Sequence, residues 1–462
     1  LSVGYGNGIG TPAGFAFATV ILTIFSVGYV AMARKVTAAG GFYSYISHGL
    51  GRELGMASGL LMVSAYSVFE ASLCGGFAYF ASLKLNQYGY HVSWYWLALA
   101  MIALIAILAW FDVHISARIL GVALISEVLV LLVFDLVVFL QGGENIQASA
   151  INPVEAFTGL NGSTINGTAV AAGAAGIGLF FAFWSWVGFE MAPNYGEESR
   201  DPKRIVPLAM YLSVVGLGIF YTITSWAAIS GYASTAAAAA QAQSDAASFF
   251  LIPAQQFGNE FLRDLMSYLI ITGSFACGMA FHNTTARYLY SLGRERVLPT
   301  ALGRTHPKHR SPHVASTTQS AIAALIIVAF AAFATVKDND AAASVAYLQV
   351  YGLMAFMGVV SILAIQALVS VAIWNYFRSH HPTEHKLWNH TIAPIISVVG
   401  QAVVLYLAIK NIDFIGSGYY YARYLVVLDI LIFAGGIAYA FYLKSADRAK
   451  YETVGRMVNS GF

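Results

Sequence analysis

Eleven apolar runs of about 20 residues, set one after another, constrain this chain more than any other feature. They cover residues 13–33, 55–83, 94–110, 119–140, 171–192, 206–229, 265–289, 314–335, 346–376, 392–409 and 419–443. A run of that length with few charges can cross the hydrocarbon core of a bilayer as one helix. Only helices and closed barrels satisfy their backbone groups there, and barrel strands are about half as long. The predicted class is therefore an all-α polytopic membrane protein, with the lipid bilayer as its surroundings. Composition agrees. Hydrophobic residues make up 58% of the chain and charged residues 10%, where a soluble domain carries about 25% charged residues. A net charge of +2 is too near neutral to point to a nucleic-acid partner. Cys74 and Cys277 both lie in apolar runs and read as packing residues.

Charge sets the orientation. If the loop after the first run is cytoplasmic, only Lys84, Arg263, Lys337, Lys410 and Arg423 of the 24 Lys and Arg residues fall outside. That bias is the positive-inside pattern. It predicts a multi-pass protein of the cytoplasmic membrane with residue 1 outside and the C-terminus in the cytoplasm. The outer loop 141–172 has no Lys or Arg, and its Asn161-Gly-Ser and Asn166-Gly-Thr read as turn chemistry in preference to glycosylation acceptors. The outer loop 231–262 opens with an Ala run that predicts a helix lying on the protein.

One run is interrupted. Residues 176–210 read GIGLFFAFWSWVGFEMAPNYGEESRDPKRIVPLAM. The apolar pattern breaks at Trp184-Ser185-Trp186-Val187-Gly188, resumes through Phe189 and Glu190, and stops at Pro193. An interrupted helix frees backbone groups that need partners where there is no water. Such breaks hold ligands in transporters; the alternative is a kinked helix with its Trp residues in a packed interface.

Acids inside the apolar runs are costly and are functional or paired. Among them are Glu70, Glu127, Asp135 and Glu190. Tyr66, Ser67, Glu70, Leu73 and Cys74 share one helix face by their spacing. Glu70 is either a proton site, a counter-charge for a substrate ammonium, or one end of a helix–helix hydrogen bond. His282 reads as a satisfied polar residue before a relay. The loop histidines (His306, His309 and His313; His380, His381, His385 and His390) sit on solvated basic loops, and no metal is expected. No phosphate-cradling loop, nucleotide-binding domain or nucleophile–His–acid set is visible, which argues against a primary pump and an enzyme, and no cofactor is expected.

The stretch FAFWSWVGFEMAPNYGEESRDPKRIVPLAM resembles the signature of the amino acid–polyamine–organocation (APC) transporter family. Residues 37–45 (TAAGGFYSY) resemble its re-entrant loop, and residues 285–299 (TARYLYSLGRERVLP) resemble the turn leaving its eighth helix. The resemblance runs through the whole chain in order. It implies a five-plus-five inverted repeat and two further helices, here 1–376 and 377–462, with twelve helices in the complete fold. It also implies that most of a first helix precedes Leu1. That helix is broken like the sixth, and the two breaks together form the substrate site. Proton-coupled relatives carry a lysine in the fifth helix where this chain has Glu127. Glu127 is then a proton-exchanging carboxyl, a partner of a cation or substrate amine, or a structural ion-pair member.

The expected function is secondary active transport of a small amino acid or related amine by alternating access, by proton symport or by exchange. Trp184, Ser185, Trp186, Val187, Gly188 and Phe189 would form one wall of the site, with Tyr66, Ser67 and Glu70 opposite. Glu127 and Glu70 are the coupling candidates, and Glu190 steadies the broken helix. Glu197, Glu198 and Arg200 belong to the inner gate. The rivals are a polyamine or organocation carrier and, in a different class, a non-transporting sensor or partner subunit.

Overall fold

The apolar runs fold as helices, since each must bond its own backbone. The computed structural model describes residues 1–36, 40–110, 113–165, 167–309, 311–336 and 340–455, without the side chains of 113–119, 168 and 196–198. The main helices are α1 (Thr11–Ala33), α2 (Gly41–Leu50), α3 (Arg52–Gln87), α4 (Trp94–Trp110) and α5 (Val113–Leu140). Then come α6 (Ala175–Trp184), α7 (Pro202–Ser230), α8 (Thr235–Ser244), α9 (Glu260–Arg294) and α10 (His313–Phe333). The last four are α11 (Ala342–His380), α12 (Trp388–Lys410), α13 (Ala422–Ala446) and α14 (Arg448–Thr453). Among the described residues, 10 helices are long and apolar enough to cross a membrane, and α4 is an apolar helix of 17 residues. Among the described residues the protein is all-α apart from one small hairpin.

Helix ends follow local chemistry. Pro12 and Pro202 occupy the first turns of α1 and α7, where a missing N–H costs nothing. The Asn259 side chain accepts the Leu262 N–H at the start of α9, and Ser234 caps α8 by accepting from the Ala237 N–H. The α8 helix buries Ala238, Ala239 and Ala242, which accounts for the Ala run in that loop. In the 141–172 loop the chain goes beyond turns. Ser163–Ile165 pairs antiparallel with Thr168–Val170, and Gly167 at the bend has φ of +81°. Asn166 lies outside the described residues.

The α3 helix is the axis of the bundle and packs against α2, α4, α9, α11 and α13. In its most apolar window 72% of residues are buried, against 17% in α5 and α13. Hydrophobic residues of α5 and α13 therefore face lipid. Close helix contacts use small residues. A Cβ on Gly436 of α13 would lie 2.5 Å from the Ala57 Cα, and one on Gly49 of α2 would lie 2.3 Å from the Ala372 carbonyl oxygen. The α2 helix is wedged between α3 and α11 and holds residues 41–45 of the expected re-entrant loop; Thr37, Ala38 and Ala39 of that motif lie outside the described residues. Cys74 is buried as expected, but Cys277 is exposed on α9. Ala276 and Gly278 on either side of it are buried, and a hydrophobic run does not distinguish the exposed positions of a helix from its core positions.

Candidate functional site

The α6 helix stops at Trp184 by tightening and then reversing. The Trp186 N–H donates to the Phe183 carbonyl and the Val187 N–H to the Trp184 carbonyl, spacings that draw the last turn into 3₁₀ geometry. Gly188 then takes a φ of +119°, which an L side chain rarely adopts. The chain resumes as the 3₁₀ segment Phe189–Glu198. The Glu190 carboxylate folds back over the gap: Oε2 accepts the Gly188 N–H at 2.9 Å, and Oε1 accepts the Tyr66 hydroxyl of α3 at 3.0 Å. The Tyr29 hydroxyl donates to the Glu190 carbonyl at 3.2 Å. Glu190 is 1% exposed, so each of these bonds satisfies a group shut off from solvent. A Cβ at Gly188 would meet nothing within 4 Å, so the interruption borders open space.

The two Trp residues face opposite ways. Trp186 is buried, donates its indole N–H to the Val214 carbonyl at 3.3 Å, and packs on Tyr221 and Phe15. That carbonyl belongs to the π-helical turn Leu212–Gly216 of α7. Trp184 is half-buried against Phe181 and Tyr351 and lines a cavity on the side away from the basic loops. Ser185 bonds back to the Phe181 carbonyl at 2.9 Å. Phe189 meets Phe25 edge-on at 6.0 Å, and Val187 is half-buried in the core. In this conformation Trp186 and Phe189 brace the interruption from the core, and Trp184 is the aromatic group beside a cavity.

Tyr66 reaches the interruption, whereas Ser67 and Glu70 have partners on α9 and α10. Glu70 is fully buried. His282 Nδ1 lies 3.1 Å from each of its carboxylate oxygens, and the Gln319 amide donates to Oε2 at 2.6 Å. Ser67 donates to the Gln319 oxygen at 2.7 Å, and His282 Nε2 lies 2.8 Å from Ser316 Oγ. This closed network ties the middle of the bundle together. Ser316 and Gln319 escaped the reading of the sequence. Their signal was two polar residues three apart in an apolar run, which puts them on one helix face.

Glu127 lies in a third place. It lines a cavity of 390 Å³ bounded by α5, α7, α9 and Phe15 of α1. Its Oε1 is buried with no hydrogen-bond partner among the described residues. Gly273 of α9 makes room for it, since a Cβ there would lie 2.7 Å from that oxygen. Two turns along α5, buried Asp135 accepts the Thr224 hydroxyl at 2.8 Å, and its other oxygen also lacks a partner. Thr224 lines the Glu127 cavity. Tyr221 and Phe15 line it too and pack on Trp186, so a contiguous set of rings joins the cavity to the interruption. Of the residues expected at the inner gate, Arg200 is exposed, and the side chains of Glu197 and Glu198 lie outside the described set. Next to them Tyr195 lies under the Arg287 guanidinium of α9 at 3.9 Å.

Comparison with known proteins follows the same pattern. The profile of the amino acid permease family matches residues 2–445. The low-affinity putrescine importer PlaP of Escherichia coli K12 is 25% identical over 329 residues, which is 68% of this chain and 66% of the importer's length. The branched-chain amino acid permease BcaP of Lactococcus lactis is 21% identical over 348 residues, 71% of this chain and 70% of that protein. The vacuolar cationic amino acid transporter 8 of Arabidopsis thaliana is 22% identical over 144 residues. A helical bundle of this kind, an interrupted helix at its centre and a profile match across nearly the whole chain identify the protein as a member of the amino acid permease family within the APC superfamily.

Proposed function

We propose that the protein is a secondary carrier of a small amino acid or related amine, working by alternating access in the cytoplasmic membrane. The observation that carries this reading is the interruption at Gly188, which borders open space within an apolar bundle and is bridged by Glu190. Interrupted helices at mid-membrane are where carriers of this kind build their sites. The carbonyl end of α6 points at the gap, and a helix C-terminus favours positive charge. A substrate ammonium is therefore placed there, with aromatic cover from Trp184. The first 376 residues are read as inverted-repeat core, and the C-terminus as cytoplasmic.

Glu127 is the proposed coupling residue. Its carboxylate faces a cavity with one oxygen unpartnered, whereas both oxygens of Glu70 and of Glu190 are bonded. Glu70 is retained as a second proton site, exchanging with His282 within its network. Uptake of labelled amino acids and of labelled putrescine into proteoliposomes at two pH values tests both parts. Accumulation of one substrate class is expected, with pH dependence lost in Glu127→Gln. Unchanged pH dependence in that variant would remove Glu127 from the coupling role. Absence of uptake for every substrate would favour a sensor or partner subunit. A polyamine or organocation carrier is the second reading, favoured by the embedded acids and by the name of the putrescine importer.

A further inference from the structure

The helices α4 and α10 leave a groove between them on the side of the basic loops. It has a volume of 420 Å³ and is lined by Ala106, Ile107 and Trp110 of α4 and by Ser316, Thr317 and Ser320 of α10. Ile107, Trp110 and Thr317 are exposed, so the groove opens towards the bilayer and not into the bundle. Its hydroxyls are engaged within the protein. Thr317 donates to the His313 carbonyl at 2.9 Å, Ser320 donates to the Ser316 carbonyl at 3.3 Å, and Ser316 Oγ lies 2.8 Å from His282 Nε2. What remains to face outward is alkyl and indole surface, which matches an acyl chain.

The loop between α9 and α10 closes one end of the groove. Ser311 Oγ donates to the Trp110 carbonyl at 2.9 Å, and the Trp110 ring meets those of His306 and His313, each at 5.5 Å. His306 also lies 4.7 Å from His309 and 5.3 Å from His313 between ring centres. The Lys308 and His309 N–H groups donate to His306 Nδ1 at 3.2 and 3.1 Å. A neutral imidazole that accepts at one nitrogen carries its proton on the other, so His306 offers an Nε2–H donor. His313 Nδ1 is buried and lacks a partner among the described residues. Residues 296–313 contain Arg296, Arg304, Lys308, Arg310 and these three histidines, with no Asp or Glu. Arg304 and Lys308 are exposed, whereas Arg310 and the nearby Asp112 lie outside the described residues. The first turn of α10, the positive end of a 21-residue helix, adds attraction for an anion at the same corner.

We propose that this corner binds an anionic phospholipid, its phosphate held by His306, Arg304, Lys308 and the first turn of α10, and an acyl chain lying in the groove. Basic pockets between membrane helices hold lipid headgroups of this charge. A soluble anion would leave the apolar groove empty, and a zwitterionic lipid would bring a cation against the basic loop. The inference stands apart from the carrier reading, because binding is measured without transport. The full chain in detergent micelles would be titrated with phosphatidylglycerol and with phosphatidylcholine, and bound lipid counted by native mass spectrometry. Phosphatidylglycerol is expected to bind about tenfold more tightly. Arg304→Gln combined with Lys308→Gln should weaken its binding by about 10- to 30-fold. Lys386→Gln combined with Arg448→Gln removes the same charge from exposed positions elsewhere on that side and should leave binding unchanged. Thr317→Trp fills the groove from an exposed position and should abolish it. Equal binding of the two lipids, an equal loss in the two charge-removing pairs, or full binding in Thr317→Trp would overturn the proposal. Complete displacement of the lipid by inorganic phosphate would reassign the corner to a soluble anion and overturn it as well.

Discussion

Replacing Gly188 by Ala isolates the backbone geometry of the interruption. A Cβ at this position would touch nothing within 4 Å, so packing contributes nothing to the outcome. What remains is the φ of +119°. Holding a non-Gly residue in such a region costs about 1–3 kcal/mol. Part of that is offset by the lower chain entropy of Ala when unfolded, about 0.4–1 kcal/mol. The net loss expected is about 1–2 kcal/mol, a factor of roughly 5–30 in the folding equilibrium. Gly216 is the matched control. It also has open space around a Cβ, but its φ of −63° and ψ of −50° are helical, so Ala there should gain up to about 1 kcal/mol. The two variants should therefore separate by about 2–3 kcal/mol in equilibrium unfolding of the full chain in mixed micelles, followed by tryptophan fluorescence. If Gly188→Ala is as stable as Gly216→Ala, the interruption does not depend on the left-handed backbone and the reasoning fails. Uptake should fall in Gly188→Ala alone, because relaxing φ moves the amide away from the Glu190 carboxylate.

The remaining predictions use the same unfolding measurement. Glu190→Leu removes the acceptors of both the Gly188 N–H and the Tyr66 hydroxyl, so about 1–3 kcal/mol should be lost; wild-type stability would mean that these bonds do not hold the interruption. Glu70→Ala leaves His282 and Gln319 facing an empty buried site and should cost about 3–5 kcal/mol, with Glu70→Gln costing less. A double-mutant cycle with His282→Ala should show coupling above about 0.5 kcal/mol, and strict additivity would contradict the network. Gly436→Ala drives a Cβ to 2.5 Å from the Ala57 Cα, whereas Gly435→Ala points into open space. The first should cost about 1–3 kcal/mol and the second should fall within about 0.5 kcal/mol of wild type; equal effects would mean that α13 does not sit on α3 as described.

Much of the architecture was legible along the chain because helix formation in an apolar run is a local matter. Each apolar run anticipated a helix, with ends moved by a few residues: 55–83 became Arg52–Gln87. The break after Trp184 was legible for the same reason, since Gly188 and Pro193 stop an apolar pattern that would otherwise continue. Lipid-facing and core-facing positions were harder to separate, because both are apolar in a membrane protein.

Partnership of the embedded acids Glu70, Glu127, Asp135 and Glu190 was decided by the tertiary structure alone. The sequence identified Glu70, Glu127, Asp135 and Glu190 as costly residues that need a purpose, and it stopped there. The hydroxyl that holds Glu190 comes from a residue 124 positions away, and the amide and imidazole on Glu70 come from 249 and 212 positions away. No spacing rule along one helix reaches so far. Helix packing put Gln319 and His282 against Glu70, and it left Glu127 beside Gly273 with an oxygen unpartnered. A carboxylate's chemistry in hydrocarbon depends on the groups within about 3 Å of it, and only the packing of distant helices brings those groups there.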